Sequence, residues 1–217
     1  MFHWTKLGRV FVPQEVTGRP WLAEFAQAPA SLMFKDFVRV YFSCRPQADA
    51  NGQYVSYSAY VDLDRANLFK VRAVAERPIL ELGGLGEFDE FGTYPVSVTR
   101  EGSEVRAYYG GWTRCESVPF NVAIGVAVSR DGGETFKKMG NGPVLSYTPD
   151  EPFVLSGPKV RRFNGRWQLF YIAGRKWKLV DGRAEPVYKI RMAISEDGIH
   201  WHKLNRDLVD SRIEEDE

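Results

Sequence analysis

Ser129–Phe136 reads SRDGGETF, and Ser195–Trp201 reads SEDGIHW. Each sets an Asp-Gly pair between an apolar run (VAIGVAV in one, YKIRMAI in the other) and an aromatic residue. Asp supplies a side-chain acceptor and Gly the positive φ that a tight turn needs. The same turn recurs 66 residues apart, which points to a repeated structural unit.

Working outward from the turns, strand signals occur in a fixed order. A first segment enters through a proline: APASLMF at Pro29, YPVSVT at Pro95, GPKVRRF at Pro158. A short turn leads to a second strand: VRVYFS, VRAYYGGW, WQLFYIAG. After a longer loop comes a third: YVSYSAYV, VAIGVAV, YKIRMAI. The fourth is LFKVRAVAERPIL, TFKKMGNGPVL or HWHKLNRDLV. Amphipathic helix patterns are scarce. The pattern predicts an all-β chain of four-stranded antiparallel meanders, the blades of a β-propeller, as one domain over 1–217. Blade 1 is expected over about 22–82, blade 2 over 88–147 and blade 3 over 151–210.

FHWTKLGRVF (2–11) matches the fourth strand IHWHKLNRDLV (199–209), which predicts a ring-closing strand over 2–12. Closed propellers have at least about four blades. Three blades therefore imply a truncated propeller, two chains completing one ring, or an open arc that self-associates through exposed blade faces.

Composition narrows the function classes. Lys and Arg number 29 against 28 Asp and Glu, a net charge of +1, so no electrostatic footprint for nucleic acid or anionic membrane is expected. No apolar run reaches the roughly 18 residues of a membrane helix. The N-terminus MFHWTKLGRV has no signal core, which predicts a cytoplasmic protein. Cys44 and Cys115 are too few for a disulfide framework, and no His, Cys or Asp cluster has metal-ligand spacing. GGLGEF (83–88) follows no helix pattern and is not a phosphate loop. No cofactor or metal is expected.

In a blade, strands 1 and 3 run one way and 2 and 4 the other. The Asp-Gly turns therefore lie on the face away from the channel mouth, and Asp131 and Asp197 are expected to bond within their own turns. The mouth receives the residues before strand 1 and those after strand 2. Acids precede each lead proline: Glu24, then Asp89 and Glu90, then Glu151. Arginines close each second strand: Arg45, Arg114, Arg175. Glycosidic cleavage needs one protonated and one ionised carboxyl group. The arginines would hold an acid ionised, or receive an anionic group in bidentate fashion. The expected catalytic set is Glu24, Asp89, Glu90 and Glu151. The expected substrate contacts are Gln27, Arg45, Trp112, Arg114, Arg175, Trp177 and Tyr188. Against this stands a structural reading, in which the repeat has copied inter-blade salt bridges.

EFAQAP, GGLGEFDEFGTYP, YYGGWTR, GVAVSRDGGETF, EPFVLSGPKV, YIAGRKWK and AISEDGIHW together resemble the five-bladed β-propeller glycoside hydrolases of families 32, 43, 62, 68 and 130. The resemblance is greatest to uncharacterised family 43-like cytoplasmic proteins, and it spans essentially the whole chain. It implies a chain truncated after about three blades. It also implies an Asp base in blade 1, a pKa-tuning Asp in blade 2 and a Glu acid in blade 3. The available counterparts are Glu24, Asp89 or Glu90, and Glu151. Where the family places an Asp directly before the first lead proline, this chain has Ala28. That departure bears on hydrolysis and not on sugar binding. Four readings stay open: a glycosidase, a glycoside phosphorylase, a non-catalytic glycan-binding propeller, and an inactive fragment.

Overall fold

Apolar and aromatic runs bounded by turn residues form twelve strands in the computed structural model, which describes residues 3–209. They form three four-stranded antiparallel sheets, each in simple sequential order. The first holds β1 (Glu24–Met33), β2 (Phe37–Arg45), β3 (Tyr57–Asp64) and β4 (Val71–Val74). The second holds β5 (Gly92–Glu101), β6 (Glu104–Arg114), β7 (Phe120–Ser129) and β8 (Lys137–Lys138). The third holds β9 (Phe153–Phe163), β10 (Arg166–Val180), β11 (Arg183–Ser195) and β12 (His202–Asp207). The blades pack face to face in a propeller-like arc, with the first strand β5 against both β1 and β9.

The lead prolines sit where a strand tolerates them. The register breaks between Gln27 and Ala30, between Thr93 and Val96, and between Ser156 and Lys159, and each break encloses one proline. Proline cannot donate to a ladder, so a bulge is its place inside a strand.

The repeated Asp-Gly turn is the dock between neighbouring blades. Tyr41 on β2 donates its hydroxyl to the Gly133 carbonyl at 2.9 Å, and Tyr108 on β6 donates to that of Gly198 at 2.9 Å. Gly133 has φ +90°, and a Cβ there would lie 2.1 Å from the Tyr41 oxygen. Each turn is shaped internally. Asp131 accepts from the backbone N–H of Glu134 and Thr135, and Asp197 from those of Ile199 and His200.

The two ends of the arc differ. Residues 10–22 cover the outward face of blade 1, where the Phe11 and Phe42 ring centres are 5.3 Å apart and Leu22 is fully buried. On blade 3 the facing pairs Phe170–Met192 and Ile172–Ile190 remain partly exposed, while the alternate residues Leu169, Tyr171 and Ala193 are buried. Of the segment 2–12 expected as a ring-closing strand, residues 3–12 are described. Residues 3–12 pair with no strand, and residue 2 lies outside the described residues, as does residue 210 at the expected end of blade 3. Among the described residues no helix is long and apolar enough to cross a membrane.

Candidate functional site

On the inner side of the arc, side chains from all three blades surround a cavity of about 410 Å³. Blade 1 contributes Arg45, blade 2 Tyr94, Trp112 and Phe120, and blade 3 Val154, Glu185 and Tyr188. Wider grooves lie at the rim, one of about 900 Å³ between residues 77–82 and 135–141, whereas the inner cavity is walled by the rings of Tyr94, Trp112, Phe120 and Tyr188.

Local sequence explains each wall. Trp112 lies over Gly92, where a Cβ would come within 1.8 Å of the indole nitrogen, so only glycine leaves room for the ring. The hairpin of β10 and β11 extends past its counterparts in the other blades and turns at Asp181-Gly182, both at positive φ. This overhang brings Ala184, Glu185 and Pro186 to the cavity. Trp177, on the same hairpin, packs edge-on against Phe120 at 5.6 Å and ties the hairpin to blade 2.

Val154 stands at φ +36°, a conformation unfavourable for a β-branched residue. Its N–H donates to Asn121 Oδ1 of blade 2 at 2.9 Å, and Phe120 and Val122 beside that asparagine also line the cavity. Phe25 and Ala28, near the start of β1, hold positive φ as well. Such outliers gather where a surrounding structure over-determines them.

Three expected substrate contacts meet at the cavity: Arg45, Trp112 and Tyr188. The others do not line it. Arg114 donates to the Tyr54 carbonyl at 2.9 Å, and Arg175 to that of Asp150 at 2.6 Å. Trp177 is engaged with Phe120. Gln27 is half-buried opposite Ser43 in the β1–β2 ladder, and Glu24 half-buried opposite Arg45. Glu90 accepts the Gly86 N–H at 3.0 Å and closes the loop before β5.

Asp89 and Glu151 depart furthest from expectation. Both are fully buried and neither lines the cavity. Asp89 accepts from the Tyr109 hydroxyl at 3.0 Å and pairs with Lys138 at 2.6 Å. Glu151 accepts from the Tyr171 hydroxyl and from Arg191, each at 3.0 Å, and pairs with Lys203. Both lysines belong to outermost strands, β8 and β12. Burial, and then the adjacent carboxylate, push the hydroxyls of Tyr109 and Tyr171 well above the usual phenol range, so both stay donors. Burying a carboxylate is costly unless it is paired and hydrogen-bonded, and both of these have such partners. The physical reason for the departure is local. The segment before each first strand turns inward under its own blade instead of rising to the opening.

Glu185, Tyr94 and Phe120 escaped sequence reasoning. Glu185 lies ahead of the third-strand signal YKIRMAI, on an extension of β11 that is invisible until β10 and β11 are paired. Tyr94 directly precedes a lead proline, and that was the available clue.

No protein-family profile matches the chain. It is 34% identical over 209 residues to the uncharacterized proteins MT1551 and Rv1502 of Mycobacterium tuberculosis strains CDC 1551 and H37Rv, covering 96% of this chain and 67% of theirs. Among solved structures it resembles a glycoside hydrolase with a TM-score of 0.71 at 16% identity, over 95% of this chain. It spans 62% of the length of that structure. Zg3597, a family 117 glycoside hydrolase of Zobellia galactanivorans, gives a TM-score of 0.64 at 14% identity, over 91% of this chain and 51% of that one. A mutant of the Bombyx mori GH32 β-fructofuranosidase BmSUC1, in complex with sucrose, gives 0.61 at 18%, over 86% of this chain and 36% of that one. At these identities the likeness is one of fold: a glycoside-hydrolase-like, propeller-type arrangement of blades.

Proposed function

The chain belongs to the family of the uncharacterized Mycobacterium tuberculosis proteins MT1551 and Rv1502, and we propose that its inner cavity holds a carbohydrate. One observation carries this reading. The rings of Tyr94, Trp112, Phe120 and Tyr188 converge on one cavity with a guanidinium, Arg45, and a carboxylate, Glu185. Flat rings pack against the apolar faces of sugars, and a few polar groups fix orientation through hydroxyls. The solved glycoside hydrolases of like fold include one in complex with sucrose, which supports a sugar in a cleft of this kind.

The reading is binding ahead of cleavage. Two acids that the superfamily resemblance offers for catalysis, Asp89 and Glu151, are locked in buried ion pairs. Hydrolysis or phosphorolysis would fall to Glu24, Glu90 and Glu185, the acids left outside those pairs.

The test is a glycan array followed by calorimetric titration of the best ligand. Trp112→Ala should lower affinity about tenfold or more, as loss of a stacking ring does. An array without binders, or an unchanged affinity in Trp112→Ala, defeats the proposal. Release of reducing sugar by the native chain, abolished in Glu24→Gln or Glu185→Gln, would restore the glycosidase reading.

A further inference from the structure

Each second strand ends in or runs through an arginine, and the three have different surroundings. Arg114 gives Nη2 to the Tyr54 carbonyl and lies 4.2 Å over the Phe91 ring. Arg175 gives Nη1 to the Asp150 carbonyl. Arg45 alone of the three lines the cavity. Its Nε donates to Ser56 Oγ at 3.2 Å. Its guanidinium carbon lies 5.6 Å from the Phe25 ring centre and 5.3 Å from that of Tyr54. Arg114 holds the Tyr54 backbone, and so steadies a ring on which Arg45 rests. Among the described residues no hydrogen bond engages either Nη of Arg45.

A guanidinium pinned through Nε and flanked by two rings presents its Nη pair as a fixed fork. That fork matches the two oxygens of a carboxylate, and little side-chain freedom is left to lose on binding. Glu185, also at the cavity, suits sugar hydroxyls, which donate to it. The cavity therefore offers both a receptor for an oxyanion and an acceptor for hydroxyls.

Resting on the carbohydrate reading above, we propose that Arg45 selects glycans that carry an acidic sugar and receives the carboxylate on its Nη pair. The same fork would take inorganic phosphate, so the experiment separates the two. The full chain is titrated with galacturonate, glucuronate and sialate oligosaccharides, each beside its methyl ester, and with sodium phosphate. At least one acid should bind about tenfold or more tighter than its ester, with the preference falling as salt rises. Arg45→Gln should abolish the preference, bringing the acid down to the affinity of its ester, while an unchanged urea midpoint shows that the variant folds, and Arg45→Lys should not restore the preference. Esters that bind as well as acids overturn the proposal and leave the carbohydrate reading standing. Phosphate that binds through Arg45 and is not displaced by any acid overturns it in favour of an inorganic anion. If no sugar of either kind binds, the proposal falls, and the glycan array alone then decides the carbohydrate reading.

Discussion

At one joint in the fold, blade 2 buries Asp89 and Tyr109 against Lys138, and blade 1 buries Leu22 and Phe42 with Val74 packed beside them. The positions correspond. Leu22 precedes Phe42 by the same spacing of 20 residues that separates Asp89 from Tyr109. Val74 pairs with Val61 across the outer strands as Lys138 pairs with Ala127. Blade 3 repeats the pattern of blade 2, with Glu151, Tyr171 and a Lys203 that pairs with Ala193. One space is thus filled by an apolar set in one blade and by an acid, a phenol and an ammonium in the others. A matched polar set and a matched apolar set can be close in free energy, whereas a mixed one is costly. In this comparison the two acids are parts of a joint, chosen together with their lysines.

The sharpest way to break the comparison is to mix the sets. Lys138→Met leaves Asp89 buried without its cation and should cost about 3–5 kcal/mol, read from the urea midpoint. Lys203→Met should cost less, because Arg191 still faces Glu151. Converting the whole joint, with Asp89→Leu, Tyr109→Phe and Lys138→Val together, should be neutral or add about 1–4 kcal/mol. The same triple variant should keep its glycan affinity, and a lost affinity would show that Asp89 acts at the site.

A smaller effect tests the docks. Tyr41→Phe and Tyr108→Phe each leave a glycine carbonyl without its donor, at about 1–2 kcal/mol by the same denaturation measurement. Blade 3 carries Phe170 at the corresponding position, directly before Tyr171. A phenylalanine has no hydroxyl to donate, and Phe170 lies on a partly exposed face of blade 3.

The smallest effect concerns pH. Burial disfavours the charged form of Asp131, but hydrogen bonds from the Ser129 and Thr135 side chains and from backbone N–H groups outweigh it and hold the carboxyl down, from 3.8 to about 2. A folded value below the unfolded one adds stability that is fully present above the unfolded value and is lost as pH falls through the folded one. Asp131→Asn should therefore cost less than about 1 kcal/mol near neutral pH, given solvent screening, and the gap to the native chain should close near pH 2.

The blades were legible because their signals are local. Alternation, lead prolines and Asp-Gly turns each act within a few residues, and the observed sheets obey them. The site was legible only where a side chain sits on a strand whose direction the repeat dictates, as with Arg45, Trp112 and Tyr188. The buried pairing of Asp89 and Glu151 was not legible because their partners lie on fourth strands, and only the strand register brings Lys138 and Lys203 to them. The clue was present in Leu22 and Phe42, an apolar pair at the spacing of an acid and a tyrosine. Glu185 depended on the length of one hairpin, which no repeat specifies.

The bond from Val154 to Asn121 links the geometry of the opening to the order of assembly. A valine in that backbone conformation has no reason to stay there while its blade is alone, because the oxygen that holds it belongs to the neighbour. The recess is thus a product of blades meeting, and a nascent third blade acquires its share of the recess only on joining the second.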